Sequence, residues 1–387
     1  MVKKIDVITK YFIPVVAGIE VNILETYSVL AKNGWEVTIH TSKNTYLEKD
    51  KLPDNEIYRG LKIHRYHWNW WGIMPHIDWN KTSVVALHNF DIFPHLQLMI
   101  LSLYHKITGQ KKYGLVLTPH GGYNPEWTIF SPLQAWLKKT YTYTLGTWLI
   151  NSSTDAVRAV SEWEKAEMIK KGLDPKKVIT ISNGLEDDAF KHDSRAINSN
   201  TKKLVKNWGK YIFDDARVYG IKNYETVIKA LPLLPKDINF VSIGMVGDAE
   251  YKASLIKIAK ELGVEKRVIF AGVIRGADKY YINRHALMFV HMAKWESFCN
   301  VVHQAISQGL VCVVANNTAL PYLVKDLVNG FLVDTYDHKQ LAEKINFVLN
   351  PKNKAEMQKI RNYNLLHGRE NSWQNVAQKM HNLYISL

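Results

Sequence analysis

Residues 5–40 read IDVITKYFIPVVAGIEVNILETYSVLAKNGWEVTIH, and this stretch decides the fold class. Residues 5–8 are a short apolar run, and the turn Ile13-Pro14-Val15-Val16-Ala17-Gly18 follows. From 20 to 31 the apolar side chains Val21, Ile23, Leu24, Tyr27 and Leu30 recur at helical spacing. Asn33-Gly34 stops the helix, and residues 36–40 begin a second strand. Strand, glycine-bearing turn, helix and strand are the opening unit of a parallel, doubly wound sheet.

The same alternation runs outward along the chain. Residues 84–87, 115–117, 156–160 and 178–181 read as buried strands, with helices expected over 93–107 and 162–171. Residues 187–206 are polar, rich in Asn, Ser and Lys, and read as an interdomain linker. Beyond them strands are expected at 238–243, 268–271, 286–290 and 310–314. The last segment, 372–387, is an amphipathic helix with Trp373, Val376, Met380, Leu383 and Tyr384 on one side. The expected division is 1–186 for a first Rossmann-like domain, 187–206 for the linker, 207–368 for a second such domain, and 369–387 for the terminal helix.

Composition narrows the class. A chain of 387 residues with 47% hydrophobic residues fills two α/β domains of about 100–200 residues each. Lys plus Arg total 50 against 36 Asp plus Glu, and a formal excess of +14 favours polyanionic partners such as phosphorylated substrates or anionic lipid. Cys299 and Cys312 are too few for a disulfide framework and show no zinc spacing, which fits a reducing compartment. The N-terminal stretch lacks the apolar core of a signal peptide, and no run approaches the roughly 20 apolar residues of a membrane span. The expected location is cytoplasmic, with peripheral binding at the inner membrane face. No zinc finger, RNP-like segment or helix-turn-helix accompanies the positive charge, so nucleic acid is not an expected partner.

Several segments match one family in order. Trp295-Glu296-Ser297-Phe298-Cys299-Asn300-Val301-Val302-His303-Gln304-Ala305 resembles a pattern of Glu, then Gly-Phe-Gly, then a second Glu eight positions after the first, then Ala. Glu296, Phe298 and Ala305 fit it; Ser297 and Cys299 replace the glycines, and Gln304 replaces the second Glu. Arg217-Val218-Tyr219-Gly220-Ile221-Lys222-Asn223 resembles an Arg followed five residues later by Lys. Ala17-Gly18-Ile19-Glu20, His120-Gly121-Gly122, Ser161-Glu162, Ser182-Asn183-Gly184, Val268-Ile269-Phe270-Ala271-Gly272 with Val273 after it, and Asn329-Gly330-Phe331-Leu332-Val333 resemble further elements of the same family. The chain is similar to the retaining glycosyltransferases of family 4. That resemblance implies a GT-B fold: two Rossmann-like domains facing across a cleft, with a C-terminal helix crossing back to the first domain.

The resemblance also implies roles. A transferred sugar leaves behind a nucleoside diphosphate, so the site needs cations for the developing charge. Arg217 and Lys222 are expected on the diphosphate, Glu296 on hydroxyls of the donor sugar, and His120 against that sugar from the first domain; these four are the expected catalytic set. Gly18, Asn183, Val273, Phe298, Cys299, Asn300, Val301 and Gln304 are expected to bind the donor. No Asp-x-Asp pair occurs, which suits a site without metal and without a resident cofactor. The expected reaction takes a UDP- or GDP-sugar to a glycan or lipid-linked acceptor. Trp68, Trp70, Trp71 and Trp79, with the basic pairs Lys111-Lys112, Lys138-Lys139 and Lys170-Lys171, suit either core packing and solvated charge or a sugar- and membrane-facing surface. Gln304, and Tyr322 where the family often has Glu, also fit a relative that binds sugar nucleotides without turning them over.

Overall fold

The computed structural model describes residues 3–45, 48–191 and 194–387. Two compact units account for the chain: Met1–Gly184 with Trp373–Leu387, and Leu185–Ser372.

The first unit is built on strands β1 (Lys4–Ile8), β2 (Glu36–Ser42), β3 (Asn55–Tyr58), β4 (Leu61–Tyr66), β5 (Val84–His88), β6 (Gly114–Thr118), β7 (Ala156–Ala159) and β8 (Val178–Thr180). They lie in the order β3-β4-β2-β1-β5-β6-β7-β8, parallel except for β3, which runs antiparallel to β4. Strands β5 and β6 are near-continuous apolar runs, which is how a parallel sheet covered on both faces reads. The helix Gly18–Lys32 returns the chain from β1 to β2 and buries Ile23, Tyr27 and Leu30. The terminal helix Trp373–Ile385 packs on it, and Trp373, Val376, Ala377, Met380, Leu383 and Tyr384 share one core with Tyr27, Leu30 and Trp35. Gly184 permits this approach, because a Cβ there would stand 2.7 Å from the backbone nitrogen of Trp373.

The second unit contains β9 (Lys210–Asp214), β10 (Ile238–Ser242), β11 (Val268–Phe270), β12 (Met288–His291), β13 (Cys312–Ala315) and β14 (Gly330–Val333), all parallel, in the order β11-β10-β9-β12-β13-β14. Counted within the unit this is the order 3-2-1-4-5-6 of a dinucleotide-binding sheet. The order reverses between β9 and β12, and ligands of such sheets bind beyond the carboxyl ends of the strands at that point.

The linker expectation is corrected. Residues 187–206 carry short 3-10 turns at Asp187–Ala189 and Ser194–Ala196, and most of the helix Ser199–Trp208; residues 192–193 lie outside the described residues. Asn198 caps this helix, which buries Thr201, Val205 and Trp208, and the Asn198 N–H donates to Asp278 at 2.8 Å. Three side chains at helical spacing dock a polar sequence against the second unit. Strands β3, β4, β9 and β14 add to the elements read from the sequence.

Candidate active site

At the switch point of the second sheet, β9 ends on Asp214 and β12 ends on His291, both fully buried. The His291 ring lies between two carboxylates: Nδ1 is 3.0 Å from Asp214 Oδ2 and Nε2 is 3.0 Å from Glu296 Oε1. With an acceptor at each nitrogen both must donate, so the ring is an imidazolium. Burial pushes its pKa down, but the acidic groups around it, Cys299 and Asp214 foremost, carry it well above the ordinary value. Lys222 Nζ reaches the same Glu296 oxygen at 2.5 Å. The result is a chain of alternating charge, Asp214, His291, Glu296, Lys222. Burial alone would raise the Glu296 carboxyl; the Lys222 ammonium and then His291 outweigh it and hold it at about 2.

The loops around Glu296 and Lys222 are fixed by backbone contacts. Asn223 adopts left-handed geometry (φ 55°), and its amide donates to the carbonyls of Met292 and Thr335 at 2.9 and 2.7 Å. That ties the Lys222 turn to the strand end carrying His291. The Glu296 N–H donates to Thr318 Oγ1 at 3.0 Å, and Asn317 Nδ2 donates to the Ala293 carbonyl at 2.9 Å. Cys299 precedes the helix Asn300–Ser307 with φ 82°, a left-handed conformation suited to the glycine it replaces. The first turn of that helix leaves N–H donors without intrahelical acceptors, beside the charge chain.

The structure brings Glu296, Lys222, Phe298, Cys299, Asn300 and Val301 into one region of the second unit. Phe298 is buried edge-on against His303, with ring centroids 5.4 Å apart. Gln304 lies one turn along the helix, and its side chain makes no hydrogen bond among the described residues. Arg217 stands exposed on the loop after β9, near enough to Lys222 for their charges to oppose, and Val273 is exposed after β11. Gly18, His120 and Asn183 belong to the first unit. Gly18 opens the helix after β1. Asn183 is buried and accepts from Asn22 at 2.6 Å, so its side-chain oxygen serves the core. His120 follows β6 in left-handed geometry (φ 51°). Asp214 and His291 were not read from the sequence; the signal available was a charged residue closing an apolar parallel strand.

One group among the described residues could hold a metal: His291, Glu296 and Cys299 offer ligand atoms within 4.8 Å of one another. In this structure the cation on Glu296 is Lys222. The aromatic and basic surface resolves residue by residue. Trp79 packs on Tyr113 and His105, whereas Trp70 and Trp71 stack at 3.7 Å and are exposed. Lys111 pairs with Asp155, and Lys171 lies over the Tyr143 ring.

Two Rossmann-like units built on parallel, doubly wound sheets, the second with this cluster at its switch point, are the architecture of a GT-B glycosyltransferase. Family models agree: residues 16–189 match Glycosyltransferase Family 4, and residues 197–365 match Glycosyl transferases group 1. The chain belongs to the family 4 glycosyltransferases. It is 24% identical over 275 residues to an uncharacterized 41.2 kDa protein in the cps region of Klebsiella pneumoniae, covering 70% of each chain. It is 29% identical over 128 residues to the lipopolysaccharide core biosynthesis glycosyltransferase LpsE of Rhizobium meliloti, covering 33% of this chain and 36% of LpsE. The fold resembles that of Anabaena Alr3699/HepE in complex with UDP-glucose, with a TM-score of 0.76 at 18% identity over 99% of this chain and 100% of that one.

Proposed function

We propose that this glycosyltransferase is retaining and metal-independent, uses a UDP-sugar, and serves a lipid-linked acceptor at an anionic membrane. The observation that carries the donor half is the Asp214–His291–Glu296–Lys222 chain at the switch point. Lys222 and the exposed Arg217 supply positive charge where a diphosphate would leave, and the first turn of the helix Asn300–Ser307 adds N–H donors; together they do what a divalent cation does elsewhere. Glu296, anchored on two cations, stays ionised and can accept from sugar hydroxyls. HepE holds UDP-glucose, which supports UDP as the donor nucleotide; GDP is the competing choice.

The membrane half rests on the helix Pro132–Tyr141, which buries none of its residues. Leu133 and Trp136 are 65% and 62% exposed, Leu137 lies beside them, and Lys138 and Lys139 close the helix. Ile129 and Trp148, on segments before and after this helix in the chain, are exposed as well. An apolar face bordered by lysines suits the boundary of anionic lipid. Among the described residues no helix is long and apolar enough to cross a membrane.

Thermal unfolding with UDP, GDP, ADP and dTDP, each with magnesium and with EDTA, tests the donor half. The expected result is a rise with UDP, unchanged by EDTA and absent in Lys222→Ala. A rise only with magnesium sinks metal independence and points to the His291, Glu296 and Cys299 set. The anomeric proton coupling of the transferred sugar decides retention. Cosedimentation with phosphatidylglycerol vesicles tests the membrane half; Trp136→Ser with Leu133→Ser is expected to lose binding, and unchanged binding overturns it. Gln304 supports a second reading, a relative that binds without turnover. A large activity gain in Gln304→Glu from a near-zero start would favour that reading, and a loss would show that Gln304 suits its own donor.

A further inference from the structure

A second buried polar chain runs through the first unit. Tyr384 Oη, on the terminal helix, lies 2.7 Å from Tyr27 Oη. Tyr27 Oη lies 2.8 Å from His88 Nε2, and His88 Nδ1 lies 2.9 Å from His120 Nε2. Tyr27, His88 and Tyr384 are buried, and the rings of His88 and His120 are stacked with centroids 5.1 Å apart. His88 closes β5, as His291 closes β12 in the other unit.

The protons can be assigned by counting acceptors. Tyr384 has no hydrogen-bond partner other than Tyr27 among the described residues, so its hydroxyl donates to Tyr27. Tyr27 then has its own proton to place, and its remaining partner is His88 Nε2. A neutral His88 that accepts at Nε2 carries its hydrogen on Nδ1 and donates it to His120 Nε2. A neutral His120 that accepts at Nε2 carries its hydrogen on Nδ1, which has no partner among the described residues. Burial holds both rings well below the usual histidine range, so both are neutral. The nearby cation acts the same way. Arg158 is fully buried, donates to the Ile181 carbonyl at 2.9 Å and to Asn22 Oδ1 at 3.1 Å, and opposes an imidazolium at either position.

We propose that His88, backed by Tyr27 and Tyr384, is a positioning residue that fixes His120 as an Nδ1–H donor, so that His120 presents a proton and not a lone pair to a ligand oxygen beyond the carboxyl end of β6 and does not act as a base. The inference rests on the reading of His120 as a site residue, but the tautomer can be measured without turnover. The terminal helix thereby contributes to the site through Tyr384, beyond its apolar packing.

The test is long-range proton–nitrogen correlation NMR on the full-length chain labelled with nitrogen-15 histidine, with His120 assigned by comparison with His120→Gln. The expected result is a neutral, Nδ1-protonated His120 and a neutral, Nδ1-protonated His88 between pH 6 and 8. An Nε2-protonated or charged His120 overturns the proposal. In Tyr27→Phe, which removes one oxygen, both rings are expected to move toward the Nε2–H form, and kcat to fall tenfold or more while KM for the donor stays constant. His88→Asn, whose amide nitrogen can stand near the position of Nδ1, is expected to keep more activity than His88→Leu. Equal activity in these two variants at equal folded content contradicts the positioning role. If His88→Leu does not fold, Tyr27→Phe alone decides: an unmoved His120 spectrum refutes the chain. A correct tautomer in a protein without transfer activity would instead count against the functional reading and leave this inference standing.

Discussion

Glu296 belongs to three relationships at once: it takes a bond from His291, a second from Lys222, and its backbone N–H is held by Thr318. Its carboxyl sits at about 2 in the folded chain against an ordinary 4.5. A carboxyl depressed on folding adds stability that is fully present above the unfolded value and lost as pH falls through the folded one. Between pH 4.5 and 2 the second unit is therefore expected to lose up to roughly 3 kcal/mol through this group. Urea unfolding at pH 5, 4 and 3 measures it; Glu296→Gln should flatten the slope, and an unchanged slope would refute the assignment. The sequence already showed Glu296 and Lys222, because each sits in a recognisable spacing. Asp214 and His291 did not show, because a strand-ending polar residue in a single sequence is equally a satisfied core group until its partner, 77 positions away, is brought to 3.0 Å.

At the scale of elements, two glycines permit close approaches that any larger residue would block. A Cβ on Gly244 would stand 1.7 Å from the Ala216 carbonyl oxygen, on the loop that carries Arg217. Gly244→Ala must displace that loop, at about 1–3 kcal/mol or more, and activity is expected to fall further than stability; thermal unfolding beside a transfer assay checks both. Gly184 lets the terminal helix approach, and that helix buries six apolar or aromatic side chains in the first unit's core. At about 1.5–3 kcal/mol each, they total on the order of 10 kcal/mol, comparable with the whole stability of a domain. Deletion of 373–387 is expected to leave the first unit unfolded, with loss of near-UV circular dichroism; a cooperative native-like transition would contradict this. The terminal helix was legible because its apolar stripe is regular. The helix Ser199–Trp208 was not, since its buried face is only three residues wide and the rest, Leu204 apart, is Asn, Ser and Lys. The strand β3 escaped because it is an exposed, antiparallel edge.

At the scale of the molecule, each unit has a doubly wound sheet with a histidine closing a strand beside the point where the strand order reverses: His88 in the first and His291 in the second. The two play opposite electrical parts. His291 is charged between carboxylates, whereas His88 is neutral beside a hydroxyl and a second imidazole. The fold was visible in residues 5–40 because the order strand, glycine-bearing turn, helix, strand shows in the sequence even though the strands carry buried polar residues such as Asp6 and His40. The chemistry lay in polar residues at the ends of those runs, where a sequence shows position but no partner. Hydrogen exchange with and without UDP, in EDTA, tests the central claim most directly. The account predicts slowed exchange at the backbone of 217–223 and 296–302, with the effect lost in Lys222→Ala. Protection that appears only with magnesium, or that leaves these two loops unchanged, would contradict it.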